Sequence, residues 1–380
     1  MSAVAEDVLP MQALWDEVAR FAAHSLEPAV ARHEHPLTPE RQRDIRDVAA
    51  EMGLVSADAG DPSGLALWEC DASADNRRLS IGALRRLGRI NMGFAWQLHQ
   101  SALARWLERR LRFDAPGWNV VALQGRYGLA RGSLSRYLRG HAGAEDLALL
   151  QDYFDADSAP GLLVHCAPDW SGVWLPRLGA ERSLQWQYHP RERLRVSALP
   201  HSHGLDELCS YAVQRGEADT PTSALAPDAS RDVMTELCAL NTLGLLAVAL
   251  GGVEHAHALA LDYAATRRQG AQLIREHAAV QLLLGQGRQA IALTEQMLDS
   301  ACGQAGDSPL ALARLYRSRA ALQPMLCRGS SDALQVFGGM GYMRDTGLEK
   351  ILRDQNCLRV IHGTPLELQL AATALEEDAS

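Results

Sequence analysis

Apolar residues at helical spacing dominate the first part of the chain. They predict a first helix that ends near Pro28 and a second that begins at Thr38 and Pro39 and stops at Gly53. The same pattern continues as helix over residues 79–111. The apolar positions of the first helix are Leu14, Val18, Phe21, Ala22 and Leu26.

Strand character is confined to the middle of the chain. Short runs with β-branched residues at 161–166 and 194–197 predict strands, and the proline-rich stretch 216–230 predicts a linker. From residue 232 the pattern returns to helix, with long segments over 237–265 and 276–302.

A further C-terminal helix is predicted to begin at Ser308 and Pro309 and to run towards Cys327. A helix after Asp332 then ends at paired glycines. The predicted fold is therefore mainly α: an N-terminal helical domain over 1–158, a short β middle domain with its linker over 159–230, and a C-terminal four-helix bundle over 231–380.

Charge and composition narrow the class of partner. The 380 residues carry a net charge of −9, which argues against nucleic acid or an anionic membrane as the main partner. The arginine-containing segment 129–139 resembles the second helix of a helix-turn-helix motif. We interpret its arginines as a solvated face of a helix and not as a DNA-binding surface. No membrane span, secretory signal or metal site is expected, and the seven scattered cysteines favour a reducing cytoplasm.

Two motifs in the C-terminal third carry a family resemblance. The first runs from Gln335 through Gly338 and Gly339 to Tyr342, and it is followed by an Arg-Asp pair and by a Gly-Thr pair that ends at Thr364. The second begins at Tyr263 and places Arg267 and His277 in an ungapped register. Together they resemble the signatures of the acyl-CoA dehydrogenase family.

The resemblance implies FAD as cofactor. Gln335, Gly338 and Gly339 would hold its ADP half, and Arg267 would bind its pyrophosphate across a subunit interface. Arginine suits that task because its planar fork pairs bidentately with phosphate. His277 would flank the cofactor and Thr364 would contact it.

The position of the catalytic base departs from the family pattern. Where the family has glutamate this chain has His362, and the family's alternative base position falls on Asn241. Histidine can accept a proton and asparagine cannot. His362 is therefore the candidate catalytic base, although it could equally fill space or bind a neighbour.

The resulting functional hypothesis is an FAD-dependent oxidoreductase that acts on an acyl thioester of coenzyme A or of a carrier protein. One alternative is a silent structural or regulatory partner of an active homologue. Another is a flavoprotein with different chemistry, such as desulfination. The resemblance also implies self-association as a dimer or tetramer through residues 232–380, possibly with a homologous subunit.

Overall fold

The N-terminal part of the protein is helical. The computed structural model describes residues 11–31, 35–55, 65–68, 73–123, 130–179, 183–216, 222–303 and 308–377. Thr38 caps the second helix as predicted, since its hydroxyl accepts a hydrogen bond from the backbone N–H of Arg41. The helices of this part are α1 (Met11–Phe21), α2 (Pro39–Glu51), α3 (Ala74–Ile90), α4 (Met92–Leu111), α5 (Arg131–Leu138) and α6 (Ala144–Tyr153).

The helical stretch predicted over 79–111 is broken into α3 and α4. Asn91 separates them with an extended backbone (φ −155°), and its side chain caps α4 by accepting a hydrogen bond from the N–H of Phe94. An asparagine that can bond to nearby backbone competes with helix continuation, which explains the break.

The middle part holds two small sheets with the strand orders β1-β3-β4-β7 and β2-β6-β5. β1 lies in the region predicted as helical and pairs in parallel with β3, so strand structure is not confined to the middle as the sequence indicated. The strands are β1 (Asn119–Val121), β2 (Leu162–Cys166), β3 (Gly172–Leu178), β4 (Leu184–Pro190), β5 (Leu194–Ala198), β6 (Cys209–Arg215) and β7 (Thr222–Ala224).

The C-terminal part is a helical bundle around α7, which confirms the mainly α fold class. α7 meets the length and composition of a membrane span, but 89% of its apolar window is buried inside the protein, as in the central helix of a folded core. The helices are α7 (Pro227–Thr266), α8 (Ala278–Cys302), α9 (Pro309–Phe337), α10 (Leu348–Leu358) and α11 (Pro365–Glu376), with a small hairpin of β8 (Arg268–Gln269) and β9 (Gln272–Leu273) after α7.

α9 is longer than the sequence indicated. Ser308 caps its start as predicted, with its hydroxyl accepting from the N–H of Ala311. The helix then continues past Cys327 to Phe337 with Pro324 inside it, so the helix expected after Asp332 is the last part of α9. Burial of most of this later half against the bundle outweighs the hydrogen bond that the proline removes.

The interpretation of 129–139 as a solvated arginine face is wrong. Arg131 is buried, and its guanidinium donates to the backbone carbonyl of His362. Arg136 pairs with Asp146, and Arg139 donates to the carbonyl of Leu375. Arg131 and Arg139 therefore connect this segment to the C-terminal bundle, and Arg136 connects it to α6.

Candidate functional site

The structure brings together the two positions at which the resemblance places a base. Asn241 lies on α7 and His362 lies in the turn between α10 and α11. The Nδ2 atom of Asn241 is 2.8 Å from Nδ1 of His362, and both side chains are buried. This pair marks the centre of the candidate site.

The backbone at His362 is held by two buried arginines. Its φ of +57° lies in the left-handed region, which non-glycine residues rarely adopt. Arg131 and Arg319 both donate to its carbonyl oxygen, and Arg319 also donates to the carbonyl of Ile361. These hydrogen bonds from charged guanidinium groups stabilise the left-handed backbone at His362, and they thereby fix the position of its imidazole beside α7.

Aromatic rings pack around the imidazole of His362. The Trp96 ring lies 5.5 Å from it and 5.4 Å from the ring of His99, measured between centroids. The indole N–H of Trp68 donates to Nδ1 of His99 over 2.9 Å. The imidazole of His362 is therefore only 3% exposed.

This environment keeps both imidazoles neutral. Burial lowers the pKa of His99 to about 3. Burial, together with the positive charge of Arg131 and Arg319, holds the pKa of His362 well below its ordinary value. A neutral His362 has one nitrogen available to accept a proton.

The hydrogen bond to Asn241 occupies that nitrogen. Gln100 donates to the Oδ1 atom of Asn241 over 3.3 Å, which orients the amide so that its Nδ2 points at His362. The Nδ1 atom of His362 is then the acceptor, and the ring proton sits on Nε2. In this arrangement His362 has no free lone pair to offer a substrate.

The predicted phosphate-binding residues lie on a different, exposed face. Arg267 ends α7, Gln335 lies in the last turn of α9, and both are exposed. The rings of Tyr263 and Phe337 stack with centroids 4.1 Å apart, which ties the ends of the two helices together. Arg267 and Gln335 are each within one turn of that stack, so the fold groups them.

The paired glycines adjoin the same face. Gly338 has a φ of +61°, a conformation that favours glycine, whereas Gly339 has no such requirement. A Cβ atom added at either position would meet nothing within 4 Å. Packing inside the described chain therefore does not explain the glycine at 339.

His277 and Thr364 occupy different places. His277 is the half-buried residue before α8, and its Nε2 lies 3.2 Å from the carbonyl oxygen of Gln269 in the hairpin that follows Arg267. Thr364 caps α11, where its hydroxyl accepts from the N–H of Glu367, and its hydroxyl proton stays available. Only His277 lies near the exposed arginine.

The Arg-Asp pair of the motif anchors the loop that precedes β6. Arg353 pairs with Asp206 and Glu349, and Asp354 accepts from the backbone N–H of Leu205. The ammonium of Lys350 bridges Asp354 and Glu207, with its Nζ atom 2.7 and 3.0 Å from their oxygens. Sequence reasoning missed this cluster, although Lys350 and Asp354 have the spacing of a helical ion pair.

Comparison with known proteins finds similarity in the C-terminal part of the chain. A family model described as "Acyl-CoA dehydrogenase, C-terminal domain" matches residues 231–374. The chain is 32% identical over 140 residues to a 3-sulfinopropanoyl-CoA desulfinase of Paraburkholderia xenovorans, a match that spans 36% of each chain. The aligned region is thus about a third of that curated relative's length.

Solved structures extend the likeness to the whole fold. The butyryl-CoA dehydrogenase of Megasphaera elsdenii has a TM-score of 0.68 at 14% identity, covering 99% of this chain and 100% of that one. An FAD complex of PigA has a TM-score of 0.69 at 18% identity, covering 99% and 100%. Residues 231–374 of this chain thus match the C-terminal domain of acyl-CoA dehydrogenases, and nearly the whole chain has the fold of an acyl-CoA dehydrogenase.

Proposed function

We propose that this chain is an FAD-binding flavoprotein that holds the ADP half of the cofactor across a subunit interface. The observation that carries the proposal is the exposed guanidinium of Arg267 beside glycines whose open space nothing in the described chain fills. Arg267 makes no ion pair with any other residue that the structure describes, so its charge is available to a phosphate. The PigA structure was solved with FAD, which supports the same cofactor here.

The residues present fit the cofactor. Gln335 presents an exposed amide on the same face as Arg267, and Gly339 allows a ligand to approach the backbone closely. FAD, when bound, would supply an acceptor for an electron pair from the substrate. The chain's own residues would hold its phosphates and keep the cofactor at the interface.

For the substrate, we propose an acyl thioester. The matched relative is named as an enzyme of a CoA thioester, and its chemistry is desulfination. The closed environment of His362 favours a role in which this chain does not itself abstract an α-proton. Two roles meet this condition. The chain could be an FAD-binding partner of an active homologue, or it could be a flavoprotein with non-dehydrogenase chemistry.

Dehydrogenation with His362 as base is the second candidate. It is favoured by the convergence of His362 and Asn241 at the places where the resemblance puts the base. It requires the Asn241 amide to rotate, so that Nδ1 of His362 carries the proton and Nε2 becomes the acceptor. Because its pKa lies well below 6.5, a His362-dependent rate should show no ionisation of this group between pH 6.5 and 8.

A titration with FAD tests cofactor binding. Flavin fluorescence should change saturably when FAD is added, and Arg267→Ala should weaken binding by about 1.5–3 kcal/mol, the usual contribution of a charge-assisted contact. Arg41→Ala, which removes an exposed arginine of α2, serves as the matched control. The absence of any fluorescence change at excess FAD would refute the proposal.

Anaerobic mixing of the loaded protein with a panel of acyl-CoAs separates the two candidates. The non-dehydrogenating role predicts that the flavin keeps its colour with every thioester. Bleaching that is lost in His362→Gln, with FAD binding retained, would instead establish His362 as the base. Bleaching that persists in His362→Gln would contradict both candidates.

A further inference from the structure

An open cavity of about 200 Å³ lies where three helices of the C-terminal bundle meet α3. Its floor is apolar and buried, and it is formed by Ala239, Leu240 and Leu243 of α7 and by Leu315 of α9. Its mouth carries the exposed side chains of Ser300 and Arg314. That volume is below the roughly 300–1,000 Å³ typical of drug-sized sites, so the cavity suits a small ligand.

The cavity is separate from the His362 centre. Its lining residues on α7 form one stripe, spaced three and four residues apart from Glu236 to Leu243. At 100° per residue, Asn241 projects roughly 150° around the helix from that stripe. A ligand in this cavity would therefore lie on the other side of α7 from the imidazole.

The lining includes a buried arginine whose Nε–H has no hydrogen-bond partner. Arg77 of α3 is 9% exposed, and its Nε atom is buried with no hydrogen-bond acceptor among the described residues. Buried charges in native proteins are normally paired, because removing an uncompensated charge from water is costly. The Nε–H of Arg77 is therefore available to an acceptor that enters the cavity.

The cavity also has an acidic group. Glu236 lines the same space, and its Oε2 atom accepts from Arg110, which is not part of the lining, over 2.6 Å. Arg314 at the mouth adds a second positive charge. The cavity thus combines an apolar floor with excess positive charge at one wall and at its mouth.

We propose that this cavity binds an amphiphilic carboxylate, with the apolar chain on the α7 floor and the carboxylate on Arg77. Apolar burial supplies affinity along the chain, and the guanidinium fixes the head group through charge-assisted hydrogen bonds. The site takes a free carboxylate of medium chain length. It acts independently of FAD binding at the exposed face.

Calorimetric titration with octanoate and with 1-octanol tests the assignment on the full chain. Octanoate should bind saturably, and 1-octanol, which has the same chain without the charge, should bind at least about tenfold more weakly. Equal affinities for the two compounds, or no saturable heat with octanoate, would overturn the assignment.

Two variants locate the site. Arg77→Met should weaken octanoate binding about ten- to hundredfold and leave 1-octanol binding unchanged. The control Arg78→Met, on the outward side of α3 where Arg78 pairs with Asp75, should bind octanoate like the wild type. Unchanged octanoate affinity in a folded Arg77→Met variant would rule out the carboxylate contact.

A second variant remains informative if Arg77→Met does not fold. Ala301→Phe fills the cavity with a large side chain from a half-buried position and leaves the arginines in place. It should abolish octanoate binding, whereas undiminished binding would place the ligand elsewhere and overturn the proposal.

Discussion

At the scale of residues, three buried imidazoles and the half-buried imidazole of His165 make the fold sensitive to acid. Burial lowers the pKa of His99 to about 3, and the pKa values of His165 and His189 to about 4, while that of His362 falls well below 6.5. The unfolded chain takes up these protons near pH 6.5 and the folded chain does not. Stability is therefore fully present above pH 6.5 and is lost as the pH falls towards 4.

Denaturant unfolding at a series of pH values checks this expectation. The free energy of unfolding should fall below pH 6.5, with a slope of up to about 1.4 kcal/mol per pH unit for each histidine. His99→Gln should reduce the slope, and the exposed His201→Gln should leave it unchanged. A free energy of unfolding that stays level between pH 7 and pH 5 would contradict the account.

At this scale, the sequence assigns candidate site residues only where a motif fixes the register. The motif locates His362 and Asn241, and the structure then joins them although they are 121 positions apart. No local pattern predicts that Trp96 and His99 close around the imidazole, because that contact depends on how α4 meets the C-terminal bundle. The contacts of Arg131 and Arg319 with the His362 turn also depend on tertiary packing, so no local sequence pattern predicts them.

At the scale of elements, the packing of α3 against α7 depends on two glycines. A Cβ atom at Gly251 would lie 2.0 Å from the carbonyl oxygen of Arg85, and one at Gly88 would lie 2.6 Å from that of Val248. Backbone cannot yield as the end of a flexible side chain can, so a methyl group at either position forces the helices apart.

Gly251→Ala should therefore lower the free energy of unfolding by about 1–3 kcal/mol, the usual cost of overpacking. Gly285→Ala is the matched control, since a Cβ atom there meets nothing within 4 Å on the exposed side of α8. That control should stabilise the protein by up to about 1 kcal/mol through helix propensity. Thermal or denaturant unfolding measures the stability of both variants. Equal changes in the free energy of unfolding for Gly251→Ala and Gly285→Ala would contradict the close packing of α3 on α7.

The sequence predicts elements that are set by adjacent residues, such as capped helix starts. It does not predict elements that form only by pairing with a segment far along the chain. The caps at Thr38 and Ser308 follow from a hydroxyl followed by proline, and both occur as expected. β1 is three residues long and exists because it pairs with β3 some fifty residues later. Its only β-branched residues are Val120 and Val121, and so short a run does not by itself predict a strand.

At the scale of the whole molecule, the exposed face that carries Arg267 and the paired glycines also has apolar side chains. Met340, Tyr342 and Met343 follow the paired glycines and are all more than half exposed. Such a cluster beside the exposed Arg267 is typical of an interaction surface. We therefore expect flavin and subunit contacts to share this face, so that assembly and cofactor binding depend on each other.

Sedimentation velocity recorded at both protein and flavin wavelengths tests this central claim most directly. With excess FAD, the flavin absorbance should travel with a dimer or larger assembly, and Arg267→Ala should remove flavin from that boundary. Flavin that travels with a monomer, or an assembly that never carries flavin, would contradict the account.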